Sequence, residues 1–130
     1  VNVTNPISAS DVSTTDTQVH YRSFLLQLAC SAVPAGGAPT LDVYLQTSVD
    51  NGTTWQDIAH TQFTGAATRF FQISGQVTGS TAPVAASDGA LSGETVRQGP
   101  FGTSLRIKYT AALGGGTGTW TLTPTISPHT

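Results

Sequence analysis

Methionine is absent from the 130-residue chain, and cysteine, lysine and glutamate each occur once, as Cys30, Lys108 and Glu94. A single cysteine excludes an internal disulfide and a multi-cysteine zinc site. Four Arg and six Asp complete a charged fraction of only 9%, with a formal net charge of −2 and no basic run. Binding through nucleic-acid phosphates needs several clustered cations, so no nucleic-acid partner is expected. Purely apolar stretches are a few residues long, as in Phe24-Leu25-Leu26, and no segment is expected to span a bilayer. Val1-Asn2-Val3-Thr4 opens a polar stretch, and no signal peptide is expected. With no Met in the chain, the initiator is expected to have been removed. Glu, Lys and Met, all strong helix formers, are almost missing, which argues against helices.

What is present fits strands. About a quarter of the chain is Ser or Thr, and 14 Gly and 7 Pro punctuate it. Thr, Val, Tyr, Phe and Trp suit a pleated surface, and Gly, Pro, Asn and Asp break it. A disordered chain of similar composition would lack apolar periodicity. Here 38% of residues are hydrophobic, and they fall in alternating runs. A chain of this length can bury one core without covalent staples. The expected fold is all-β: an antiparallel β-sandwich, jelly-roll-like, with an extended N-terminal arm.

Residues 1–17 are polar and aperiodic, with scattered Val3, Ile7 and Val12 and an interrupting Pro6. They are read as the arm, and residues 18–130 as the sandwich domain. Strands are expected near residues 18–30 (Phe24, Leu26 and Leu28 on one face), 40–48, 55–59, 68–74 and 104–110, and from Thr119 onward. In residues 40–48, Leu41, Val43 and Leu45 point inward and Asp42, Tyr44 and Gln46 outward by alternation. The last strand sets Trp120, Leu122 and Ile126 against Thr119, Thr121, Thr123 and Thr125. Pro124 within it implies an edge or a bulge. Residues 75–102, with six Gly and few bulky side chains, form a long loop of the kind that carries function or disorder.

The most specific motif is Ser48-Val49-Asp50-Asn51-Gly52-Thr53-Thr54-Trp55. It resembles the Asp box of sialidases and other β proteins, S-x-D-x-G-x-T-W. Asp50 can bond backbone N–H groups of the turn, Gly52 can take a positive φ, and Trp55 can pack beneath the hairpin. Ser48, Asp50, Gly52, Thr54 and Trp55 are therefore expected to be a structural turn. A sialidase would need several copies and an arginine cluster; this chain has one copy and four scattered Arg.

Catalytic and metal sites find little support. His20, His60 and His129 lack paired metal-ligand spacing and are expected to be exposed. Asp50-Asn51-Gly52 lacks the later ligands of a calcium loop. Cys30 ends an apolar strand, where a small core residue is expected. Asp42 and Asp57 could be paired carboxylates but occupy positions expected to face solvent. No catalytic residue, cofactor or metal is expected. Trp55 and Trp120 are expected in the core, and Tyr44 is the better exposed candidate for stacking on a sugar.

Leu41-Asp42-Val43-Tyr44-Leu45-Gln46-Thr47-Ser48 leads into Asp50-Asn51-Gly52-Thr53-Thr54-Trp55. Gly102-Thr103-Ser104-Leu105-Arg106-Ile107-Lys108 follows, then a glycine-rich turn and Thr119-Trp120-Thr121-Leu122. This order, over less than half the chain, resembles small β-sandwich virion proteins of tailed bacteriophages. The resemblance implies a non-enzymatic capsid decoration (cement) or minor head protein on the capsid exterior. Its partners would be the major capsid protein and further copies of itself, a homotrimer or otherwise a dimer, with no nucleic acid and no membrane. The alternative is a tail- or fibre-associated or carbohydrate (receptor)-binding module. The side chains expected to anchor an interface are Val3, Ile7 and Val12 in the arm and Val84, Leu91, Arg97 and Phe101 in the loop.

Overall fold

The computed structural model describes residues 2–4, 11–16, 23–75, 83–99, 102 and 104–129, giving only the backbone for 2–4, 11–16, 128 and 129. The chain forms β1 (Asn2–Thr4), β2 (Asp11–Asp16), β3 (Ser23–Ala32), β4 (Thr40–Ser48), β5 (Gln56–Phe63), β6 (Ala67–Ser74), β7 (Thr95–Val96), β8 (Ser104–Ala112) and β9 (Thr119–His129). They make two antiparallel sheets, ordered β1-β9-β3-β6 and β2-β8-β4-β5-β7. The fold is the expected all-β sandwich.

Alternation builds the core. Phe24, Leu26, Leu28 and Cys30 of β3, Phe71 and Ile73 of β6, and Trp120 and Leu122 of β9 line the inner face of the four-stranded sheet. Leu41, Val43 and Leu45 of β4, Ala59 and Phe63 of β5, and Leu105, Ile107, Tyr109 and Ala111 of β8 oppose them. Every one of these is buried. Burial of a large apolar side chain contributes roughly 1.5–3 kcal/mol, which makes this cluster the main source of stability.

The N-terminal segment is extended, but its two described pieces lie on the domain's own sheets. Asn2–Thr4 pairs with residues 119–121 of β9, and Asp11–Asp16 with residues 105–109 of β8. Edge pairing needs backbone groups more than apolar side chains, which is why an aperiodic polar run can still form strands. Ile7, the boundary at residue 17, His20 and Phe101 lie outside the described residues. Because β1 covers only residues 119–121, β9 has no described partner on that side at Pro124, in line with the edge position its missing N–H requires.

A bulge in β5 matters for everything that follows. The β4–β5 register runs Leu41↔Phe63, Val43↔Thr61 and Leu45↔Ala59, then shifts so that Gln46 faces Asp57. Ile58 is the extra residue, and its side chain joins the core. Strict alternation would put Asp57 on the core side with Ala59; the bulge returns it to the outer side beside Gln46. Reading across β5, β4 and β8, the outer face has three rows: Gln62, Asp42, Thr110; His60, Tyr44, Lys108; and Asp57, Gln46, Arg106. Across β6, β3 and β9, the other sheet's outer rows are Gln72, Leu25, Ser127; Phe70, Gln27, Thr125; and Thr68, Ala29, Thr123.

At one end of the sandwich two crossing loops meet main chain to main chain. Ala35 and Thr117 exchange N–H···O bonds (2.7 and 2.9 Å), and Ala38 N–H donates to the Gly114 carbonyl (3.1 Å). A Cβ on Gly37, Gly114 or Gly116 would come within 2.2–2.4 Å of the facing backbone. At these positions glycine is required by close approach.

Candidate functional site

The residues with chemical potential gather on the outer face of the five-stranded sheet, under the segment 83–99. That segment is a strap. Its backbone runs along the free edge of β5: the Asp57 N–H donates to the Ser87 carbonyl (2.8 Å) and the Arg97 N–H to the Ile58 carbonyl (2.8 Å). Between them β7 pairs with Ala59 and His60, and Glu94 Oε1 accepts from the Gln62 N–H (3.1 Å). The strap then crosses to the other sheet. The Gln98 side chain accepts from the Ser74 N–H (2.7 Å) and donates to the Gln72 carbonyl (2.7 Å), and the Gly99 N–H donates to the Ser74 carbonyl (3.0 Å). One segment thus covers edge backbone on both sheets, where an open ladder would invite pairing with another chain.

Asp57 fastens the strap. It is wholly buried, and its carboxylate collects an array of donors. Oδ1 accepts from Gln46 Nε2 (2.6 Å) and the Gly89 N–H (2.9 Å). Oδ2 accepts from Ser87 Oγ (2.5 Å) and from the N–H groups of Gly89, Ala90 and Leu91 (2.9–3.1 Å). Burial alone would raise its pKa, but the bonds from Ser87, Gln46, Gly89 and Ala90 outweigh it and hold the carboxyl below the usual range. Leu91 is buried and Val96 packs against the core, and this carboxylate adds a polar anchor to them.

Around it lies a connected polar network. Gln46, also fully buried, donates from Nε2 to Asp88 Oδ1 (2.8 Å) and accepts from Arg106 Nε at Oε1 (2.6 Å). Asp88 Oδ1 also receives Lys108 Nζ (2.7 Å) and Arg106 Nη2 (3.2 Å). The Lys108 bond is the main reason that Asp88 stays ionised below the usual range. The Arg106 guanidinium lies 4.1 Å from the Trp55 ring centre, a cation–π contact. His60 places Nδ1 2.6 Å from the Leu91 carbonyl and Nε2 2.9 Å from Asp42 Oδ1. Both ring nitrogens face oxygen atoms, one of the strap and one of β4. The Tyr44 ring stacks on His60 with centroids 4.0 Å apart.

Several sequence expectations are corrected here. Asp57 faces away from the core as expected but is sealed from solvent by the strap, and Asp42 is only partly exposed. His60 is buried, not exposed. Tyr44 is 8% exposed and its ring is taken by His60, so it offers no sugar-stacking face. Trp55 is buried, but on the outer side under Arg106 and not between the sheets. Leu91 is 7% exposed and so offers little surface to a partner. Arg97 is half-buried and bonded to β5 through its N–H. Val84 is exposed as expected; Val3 and Val12 are described only as backbone. Cys30 is a buried core residue whose thiol burial pushes up. Among the described residues no group of three His, Cys, Asp or Glu is placed to hold a metal.

The turn Ser48–Trp55 has the expected geometry. Ser48 Oγ donates to Asp50 Oδ1 (2.7 Å) and accepts from the Gly52 N–H (2.9 Å). Asp50 Oδ1 also accepts from the Thr54 N–H (2.8 Å), and Trp55 Nε1 donates to the Gly52 carbonyl (2.9 Å). Gly52 sits at φ +88°, beside Asn51 at φ +57°. The Thr54 N–H and the Ser48 hydroxyl lower the Asp50 pKa to about 2.

Alternation gave no hint of Ser87, Asp88, Glu94 and Gln98, because they lie in irregular backbone. The Ser87-Asp88-Gly89 tripeptide, a turn signal inside the long loop, was the one available pointer. No family model, no curated protein and no solved structure matches the chain.

Proposed function

We propose that the chain is a non-enzymatic structural protein of a virion: a decoration protein that binds the outer head surface as a homo-oligomer and stabilises the shell. Its partner is the major capsid protein, and it acts without touching packaged DNA. The observation that carries this reading is the strap. The carboxylates and the histidine that could serve chemistry, Asp57, Asp88, Asp42 and His60, are engaged in fastening the strap and bracing the sheet beneath it. Directly before the fastened residues, which start at Ser87, stand Pro83, Val84, Ala85 and Ala86, all exposed. An exposed, uncharged, apolar run beside a fastened strap suits lasting contact with a protein surface more than turnover of a substrate. The motif order shared with phage virion sandwiches supports the same reading. Repeated over many copies, modest contacts accumulate through multivalency.

The test is to strip the protein from particles and heat them or lower the ionic strength. Particles lacking it should release DNA earlier, and adding it back should restore them. A Val84→Asp variant with unchanged circular dichroism should restore them less well. Equal particle stability with and without the protein, or its location at the tail tip, would favour the receptor-binding alternative.

A further inference from the structure

We propose that the outer face of the four-stranded sheet is a self-association surface, through which two copies of this chain pair face to face about a two-fold axis. The proposal stands independently of the virion reading.

The first observation is the distribution of charge. Of the twelve outward positions across β6, β3 and β9, only His129, in the end row with Ser23 and Ser74, is ionisable. Arg69, on β6, belongs to the opposite phase and sits against Phe63 and Glu94 at the edge. A charged partner would bury its charge here without a counter-ion, which is costly. A second copy brings no ionisable residue beyond its own His129, in the end row. Its remaining net charge lies away from the contact, where salt screens it.

The second observation is chemical self-complementarity. Thr and Ser hydroxyls and Gln amides both donate and accept, so the surface can satisfy a rotated copy of itself. Its apolar groups lie toward one side. Phe70, 60% exposed, stands on the edge strand β6 beside Gln27, and Leu25 on β3, 38% exposed, lies one step diagonally away. An exposed aromatic and a leucine with hydroxyls and amides beside them have the composition of an interface.

The third is size. With strands about 4.8 Å apart and about 3.4 Å per residue, the three-strand face measures roughly 15 by 30 Å. Two such faces remove on the order of 900 Å² of projected area, more once side-chain relief counts, close to the lower bound for a specific interface. The core is complete without a partner, so pairing should be reversible and concentration-dependent. Pairing here also leaves free the strap residues 87–91 of each copy, which lie over the opposite sheet.

Sedimentation equilibrium on the full chain tests this. We expect a monomer–dimer equilibrium that survives a rise to about 1 M salt, because no ion pair holds it. Phe70→Lys and Thr125→Lys should each weaken pairing at least about tenfold, with circular dichroism unchanged. Val84→Lys, on the strap, should leave it intact. If Phe70→Lys fails to fold, Thr125→Lys carries the comparison. A strictly monomeric wild type, a trimer, or a dimer indifferent to both lysines would overturn the proposal. So would a monomer whose binding to particles is lost on Phe70→Lys, since the face would then belong to the shell. Particle stability that ignores the protein would defeat the virion reading and leave the dimer untouched.

Discussion

Each sheet turns nine central positions outward, three on each of three strands. On the five-stranded sheet these include Asp57, Asp42, His60, Lys108 and Arg106; on the four-stranded sheet the most conspicuous are Phe70, Leu25 and a column of Thr and Ser. The ionisable face is the covered one. Its charges are paired with each other and with the strap, so Asp57 and Gln46 are fully buried although they point away from the core. The face without an ionisable residue at its nine central positions is, among the described residues, the bare one. Outward-pointing and solvent-facing are therefore different properties, and a charged residue on a strand can be the hook by which the chain closes over its own sheet.

The sharpest way to break this contrast is to remove the hook. Asp57→Asn puts an amide where Gly89, Ala90 and Leu91 present N–H donors, leaving at least one unmatched in a buried site. We expect a loss of about 2–4 kcal/mol, read by chemical denaturation, with amide exchange quickened at residues 89–91. An unchanged midpoint would mean that the strap contributes nothing to the fold. Next in size is acid. Asp57, Asp88 and Glu94 are held below their ordinary ranges and Asp50 at about 2. Carboxyls depressed in the folded state stabilise it fully above their unfolded values, about 3.9 for Asp and 4.3 for Glu, and cease to do so as pH falls through the folded ones. The melting temperature should stay level from about pH 7 to 5 and drop below about pH 4, and the drop should be shallower in Asp57→Asn.

Asp50→Ala should lower the melting temperature by less than Asp57→Asn, because its turn is exposed and its lost partners can find water. A melt that matches wild type would remove the structural role of the turn. Smallest of all is Phe70→Thr on the bare face, expected within about 0.5 kcal/mol of wild type for the monomer. A larger loss would show that this face, too, supports the fold.

How much of this could be read beforehand follows the same division. β4 falls on residues 40–48 as its alternation foretold, and β8 and β9 carry the expected inward residues. The turn at Asp50 was legible because each motif position has a local geometric task. Tyr44 and His60 were misjudged as exposed because alternation reports the side of a sheet, not what lies over it. His60 is covered by the strap, where the Leu91 carbonyl, 31 positions on, meets its ring through a backbone group that every sequence has, and Tyr44 is covered in turn by the His60 ring. The side that Asp57 faces is the expected one, although it depends on the Ile58 bulge, which nothing in Gln56-Asp57-Ile58-Ala59 marks; its burial comes from the strap, which alternation does not report. β7 is two residues long and exists only because β5 offers an edge.

The glycine loops at residues 35–38 and 114–118 have a practical consequence for anyone wishing to display a foreign peptide on this scaffold. Loop tips are the usual choice for such grafts, and glycine-rich ones look the most permissive. Here two tips occupy each other's space, and a single methyl on Gly37, Gly114 or Gly116 meets backbone. A graft there would part the clasp. The turn between β5 and β6 is the opposite case: a Cβ on Gly65 meets nothing within 4 Å, and its neighbours Thr64 and Ala66 are exposed. That turn, poorer in glycine, is the place to splice.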